Sequence, residues 1–120
     1  MLILIATPRA GELSAFADAL AQGTGADLSF ADSWANVLAT VKTLVPGFVV
    51  LDEGLDGGAP LDLARELVKV NAMINVAAVT GLDAEAFHEA SEGLGILAAV
   101  PARPAGPDGA ALARVFQRFL

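Results

Sequence analysis

The 120-residue chain contains no cysteine, one histidine and one tryptophan, and its 7 Lys and Arg are outnumbered by 14 Asp and Glu. Without cysteine there are no disulfides, no thiolate metal sites and no cysteine nucleophile. A zinc site would have to be completed by carboxylates around His88 alone, so a helix-surface role suits that residue better. The formal net charge of −7 and an isoelectric point near 4.4 argue against direct nucleic-acid binding, since an acidic surface repels phosphates. Apolar runs of bilayer-spanning length are also missing: Pro8, Pro46, Pro60 and the charges between them interrupt every candidate, so no membrane partner is expected. Met1 to Ala6 has no basic stretch before it and is too short for a signal peptide, which makes the cytoplasm the default location.

What is plentiful is apolar sequence. Hydrophobic residues make up 55% of the chain and the mean hydropathy is +0.60, a composition suited to a sheet covered on both faces. Strand-length runs alternate with helical periods. Met1–Ala6 is followed by Thr7-Pro8, which reads as an N-cap and first-turn proline for a helix carrying Leu13, Phe16, Ala17 and Leu20 and ended by Gly23 and Gly25. Ala26–Phe30 is a second strand, and Asp32 or Ser33 caps a helix with Trp34, Val37, Leu38 and Val41 on one face. Trp34 lies in phase with that stripe and reads as a packing anchor.

Pro46-Gly47 precedes Phe48–Leu51, a run with no polar residue. Asp52 closes it, Glu53–Ala59 is a glycine-containing loop, and Pro60 opens a helix with Leu61, Ala64, Leu67 and Val68. Ile74–Val79, a helix over Asp83–Gly93, Ile96–Val100 and a helix over Asp108–Leu120 complete the pattern. Five strand-helix units in strict alternation predict one α/β domain over residues 1–120, a doubly wound (βα)5 fold of flavodoxin-like type, with a five-stranded parallel sheet and helices on both faces. Ligands of such sheets bind beyond the carboxyl ends of the strands. That directs attention to Ala6 and Thr7, Asp32, Asp52 and Glu53, Thr80 and Gly81, and Pro101–Pro104.

Phe48-Val49-Val50-Leu51-Asp52, Leu61-Asp62-Leu63-Ala64-Arg65 and Val79-Thr80, in this order and spacing, resemble the third strand, third helix and fourth strand of response-regulator receiver domains. The resemblance implies that Asp52 holds the phosphoacceptor position, that Thr80 is the switch threonine, and that the chain is a module of two-component, phosphorelay signalling with no enzymatic activity of its own. It also exposes departures. The acidic pair that binds Mg²⁺ after the first strand is replaced by Ala6 and Thr7, and the loop proline after the acceptor by Asp56. The lysine expected after the fifth strand is absent, leaving Val100-Pro101 or Arg103-Pro104 at its place. Arg103 is the phosphate-contact candidate there, since a guanidinium binds such groups bidentately. Asp52 and Asp56 together would make only a weak magnesium site, and no cofactor is required.

These substitutions point to an atypical or pseudo-receiver acting through protein interaction. Its expected partners are a kinase, an output protein or a second copy of the chain, met through the face of the fourth helix, fifth strand and fifth helix, around His88, Leu97, Ala99 and Arg114. Asp52 beside Glu53 and Asp56 is expected to be repelled by them, so that Asp52→Asn leaves the fold intact or stabilises it. Two alternatives stand beside this reading. One is a functional phosphoacceptor with substitute ligands. The other is a small flavodoxin-like binding domain using Thr7-Pro8-Arg9-Ala10-Gly11 as a thin phosphate loop.

Overall fold

A computed structural model describes all residues, Met1–Leu120. Five parallel strands, β1 (Leu2–Ala6), β2 (Asp27–Ala31), β3 (Phe48–Leu51), β4 (Asn75–Thr80) and β5 (Ile96–Pro101), form one sheet in the order β2-β1-β3-β4-β5. The helices are α1 (Ser14–Thr24), α2 (Trp34–Leu44), α3 (Pro60–Val70), α4 (Ala84–Ser91) and α5 (Gly106–Gln117). The fold class is therefore the one that the strand-helix alternation predicts.

Alternation along each strand separates two cores. Ile3, Ile5, Phe48, Val50, Ala77 and Val79 face α1 and α5, where Phe16, Leu20, Leu112 and Phe116 complete one cluster. The rings of Phe48 and Phe116 stack there with centroids 4.1 Å apart. Leu4, Ala6, Val49, Leu51 and Val76 point the other way, toward Val37 and Val41 of α2 and Ala64 and Leu67 of α3, with Trp34 half-buried at the edge of that cluster. Helices α1 and α5 approach closely because their contact is built from small residues. A Cβ on Gly109 would lie 2.2 Å from the Phe16 carbonyl oxygen, and one on Gly23 2.5 Å from the Ala113 Cβ.

Several boundaries differ from those read in the sequence. Thr7-Pro8 does not begin a helix; a 3-10 turn at Ala10–Leu13 intervenes and α1 starts at Ser14. Thr7 is instead drawn to the end of β3, as described below. Gly23 lies inside α1, and Gly25, in the left-handed conformation that favours glycine, terminates it. Ser33, not Asp32, caps α2, its hydroxyl accepting from the Asn36 N–H at 3.1 Å. Helix α5 begins two residues early, with the Asp108 carboxylate folding back to accept from the Ala105 N–H at 2.8 Å. β5 is an edge strand: only Val100 is buried along it, and Ala99 is exposed.

Candidate functional site

Parallel pairing brings the ends of β1 and β3 into register, with Ala6 opposite Leu51. The next residue on each chain therefore emerges at the same edge of the sheet. The Asp52 N–H extends the ladder to the Ala6 carbonyl at 2.9 Å, and the Thr7 N–H bonds the Ala31 carbonyl of β2 at 2.9 Å. Thr7 and Asp52 are thus fixed side by side, and they are the two buried polar residues of the domain, 1% and 0% exposed. A carboxylate at that depth needs donors for both oxygens.

It has four. The Thr7 hydroxyl donates to Asp52 Oδ2 at 2.7 Å. Arg9 grips both oxygens, Nε to Oδ2 at 2.8 Å and Nη2 to Oδ1 at 2.9 Å, the bidentate geometry that suits a planar guanidinium. The Glu53 N–H adds a bond to Oδ1 at 2.7 Å. Arg9 is oriented in turn: its own N–H donates to Thr7 Oγ1 at 3.0 Å, and Nη2 also reaches the Ala102 carbonyl at 2.7 Å. One side chain therefore ties together the loops that follow β1, β3 and β5.

The electrostatics follow from this geometry. Burial works to raise the Asp52 pKa, but the bonds from the Arg9 guanidinium, the Thr7 hydroxyl and the Glu53 amide outweigh it and hold the carboxyl below its ordinary value. The same hydrogen bond to Asp52 pushes the Arg9 guanidinium up. The expected repulsion of Asp52 by Glu53 and Asp56 is corrected by these contacts, because both of those carboxylates are engaged elsewhere. Glu53 Oε1 accepts from the Gly81 N–H at 3.1 Å, and Asp56, itself in the left-handed region at φ 52, accepts from the Trp34 N–H at the start of α2.

The remaining candidates are not gathered onto Asp52. Thr80 Oγ1 accepts from the Leu82 N–H at 3.1 Å, closing the turn that leads into α4, where Asp83 caps the Ala86 N–H at 2.8 Å. Arg103 is exposed and lines an open cavity of about 440 Å³ with Arg9, Glu12, Leu13 and Pro104, without bonding Asp52. His88 lies on the exposed side of α4. Sequence reasoning missed Arg9 as the partner of Asp52. The signal was a cation two residues beyond the end of β1, passed over because positions directly after each strand were weighed first. No group of three or more His, Asp or Glu side chains converges in a way that would hold a metal ion.

No family model matches the chain, and no curated protein resembles it in sequence. Solved structures do resemble it in fold. A receiver domain from Methanospirillum hungatei superposes with a TM-score of 0.75 at 18% identity, covering 98% of this chain and 91% of that one. The chemotaxis response regulator CheY4 of Vibrio cholerae gives 0.77 at 12% identity, covering 99% and 98%. A pilus assembly-related protein of Burkholderia pseudomallei gives 0.73 at 15% identity, covering 98% and 90%. Taken with the strand order and the position of Asp52 at the end of β3, these likenesses establish that the chain has the fold of the CheY-like response-regulator receiver domains.

Proposed function

We propose that this domain is a pseudo-receiver, a signalling module whose output is protein binding and whose acceptor-position aspartate serves as a structural anchor. The observation that carries the reading is the Arg9 fork on a fully buried Asp52. A divalent cation does not fit the donors present: magnesium takes one or two free carboxylates and completes its octahedron with water or phosphate oxygens, and here both oxygens of Asp52 already face a guanidinium. Phosphoryl transfer to Asp52 would first have to strip away those donors, and the charge-neutralising groups that such chemistry depends on are missing.

Binding would use the face formed by α4, β5 and α5. The edge strand offers Ala98, Ala99 and Pro101 without charge, and α4 leaves Glu85, His88 and Glu89 exposed as a polar rim. A signalling partner, kinase or output protein, would dock there.

A second reading has its own support. One of the structures sharing this fold is named a pilus assembly-related protein, and on that likeness this chain would be an interaction domain of an assembly system.

Incubation with acetyl phosphate and Mg²⁺, followed by intact-mass measurement, tests the anchor role. The mass should not change, and Mg²⁺ titration should not saturate at low-millimolar metal. A phosphoryl adduct lost in the Asp52→Asn variant would refute the proposal and restore the phosphoacceptor reading.

A further inference from the structure

The end of the domain opposite Asp52, where the strands begin, is apolar and exposed. Met73 is 86% exposed, Leu44 59%, Val45 58%, Met1 49% and Val70 43%. All five lie where helices end or strands begin, at the same end of the sheet. The Gly47 N–H bonds the Leu2 carbonyl and the Asn75 N–H bonds the Gly47 carbonyl, which places Met1, Val45 and Met73 just below adjacent strands. The Met1 Cγ lies 3.6 Å from where a Gly47 Cβ would sit.

Val45 adds an independent sign. It occupies the left-handed conformation at φ 44 and ψ 71, where a β-branched residue is strained. Its side chain is turned outward, so no internal packing offsets that strain. Exposed apolar residues scattered singly need no explanation, but a group at one end of the sheet, held partly by strain, does.

Charge selects the occupant. Nine of the 14 acidic residues sit at the opposite end, where strands finish and helices begin, among them Asp32, Glu53, Asp56, Asp62, Asp83 and Asp108. At the base, Lys42, Lys69 and Arg118, on or just after the last helical turns, offset Asp27, Glu66 and Glu92. Two copies of a chain carrying −7 repel each other in most orientations. Base against base is the arrangement that keeps the acidic ends apart. The molecule measures 35 × 29 × 27 Å, so those ends would be separated by several Debye lengths of roughly 8 Å and screened from one another. Apart from the Met1 amino group these apolar residues carry no charge, so a strongly charged partner would find little to pair with there.

We infer that the base of the sheet, centred on Met1, Leu44, Val45 and Met73, is the contact of an isologous homodimer that leaves the β5 edge free for other partners. Sedimentation velocity on the full chain, from about 5 to 300 µM, tests this inference. A monomer-dimer equilibrium is expected, weakened at least about tenfold by Val45→Asp and by Met73→Asp and unchanged by Ala99→Glu. Aspartate tolerates the left-handed conformation better than valine, so Val45→Asp does not threaten the fold, and a native circular dichroism spectrum would verify it. A monomer over the whole range would overturn the inference. So would a dimer broken by Ala99→Glu and indifferent to Met73→Asp.

Discussion

Replacing Arg9 by methionine removes the guanidinium and keeps a stem of similar reach, leaving Asp52 buried with the Thr7 hydroxyl and the Glu53 amide as its donors. Removing one partner of a buried ion pair costs about 3–5 kcal/mol, because the other charge is left uncompensated. Arg9 is 27% exposed along its side chain, so water replaces part of what is lost and the lower end, about 3 kcal/mol, applies. For a domain of this size that corresponds to a fall in Tm of roughly 10 °C. The pH dependence carries a second signature. In the native protein the Asp52 pKa is depressed, so its contribution is fully present above the unfolded carboxyl value near ~3.9 and is lost as pH falls through the lower folded value. In Arg9→Met the burial effect loses its main opponent, so the Asp52 pKa moves up from its native position, with the Thr7 and Glu53 bonds still acting against burial. The variant therefore gains less stability than the native protein as pH rises through the carboxyl range. The stability gap between the two proteins should therefore be widest near neutrality and should narrow in acid, closing only as the pH falls through the lower, native Asp52 value. Thermal unfolding by circular dichroism at both pH values measures the gap. Asp52→Asn should also destabilise, and the double variant should lose less than the two single losses added together. A gap under about 1 kcal/mol at neutral pH that does not narrow in acid would show that the Arg9 fork does not form in solution.

Gly109→Ala should lower the urea midpoint by an amount corresponding to about 1–3 kcal/mol, since the new Cβ meets the Phe16 carbonyl and the Ala19 Cβ across the α1–α5 contact. Gly11→Ala, with nothing within 4 Å of the added atom, is the matched control, and equal midpoints would refute the close helix approach. Thr7→Val should cost about 1–3 kcal/mol by removing a buried donor to Asp52 and the acceptor of the Arg9 N–H, whereas Thr7→Ser should retain both. Equal unfolding free energies for the two variants would place the Thr7 hydroxyl outside the network.

How far the sequence reveals this molecule depends on which forces act locally. Phe48–Leu51 carries no polar residue and suits a central parallel strand, and the observed β3 has those same bounds. Pro60 opens α3 as its fixed φ requires. The misread start of α1 has a tertiary cause. Thr7-Pro8 satisfies the local rule for a helix N-terminus, but the Thr7 hydroxyl bonds a carboxylate 45 residues away, and the chain bends at Pro8 before entering the 3-10 turn. The site was half legible. Asp52 and its missing acidic neighbours could be found by position, whereas the Arg9 contact depends on a loop fold that no periodicity encodes. Counting from strand ends favoured Arg103, which the folded chain leaves at the rim of the cavity.

The network also bears on regulation. A receiver that switches must populate two arrangements of the loops around its acceptor, and a ligand can shift that balance only by its differential affinity for them. Here Arg9 joins all three loops, with bonds to Asp52 beyond β3 and to the Ala102 carbonyl beyond β5. If opening costs about 3 kcal/mol, fewer than roughly one molecule in a hundred is open at rest. Bringing such a domain from that state to mostly open would take about 5.5 kcal/mol of differential binding. Thr80 and Glu53, the side chains nearest the adjoining β4–α4 loop, are engaged within the closed arrangement and offer no ready lever. On the pseudo-receiver reading, the binding surface is therefore already formed, and occupancy follows the concentrations of the domain and its partner instead of a phosphorylation event.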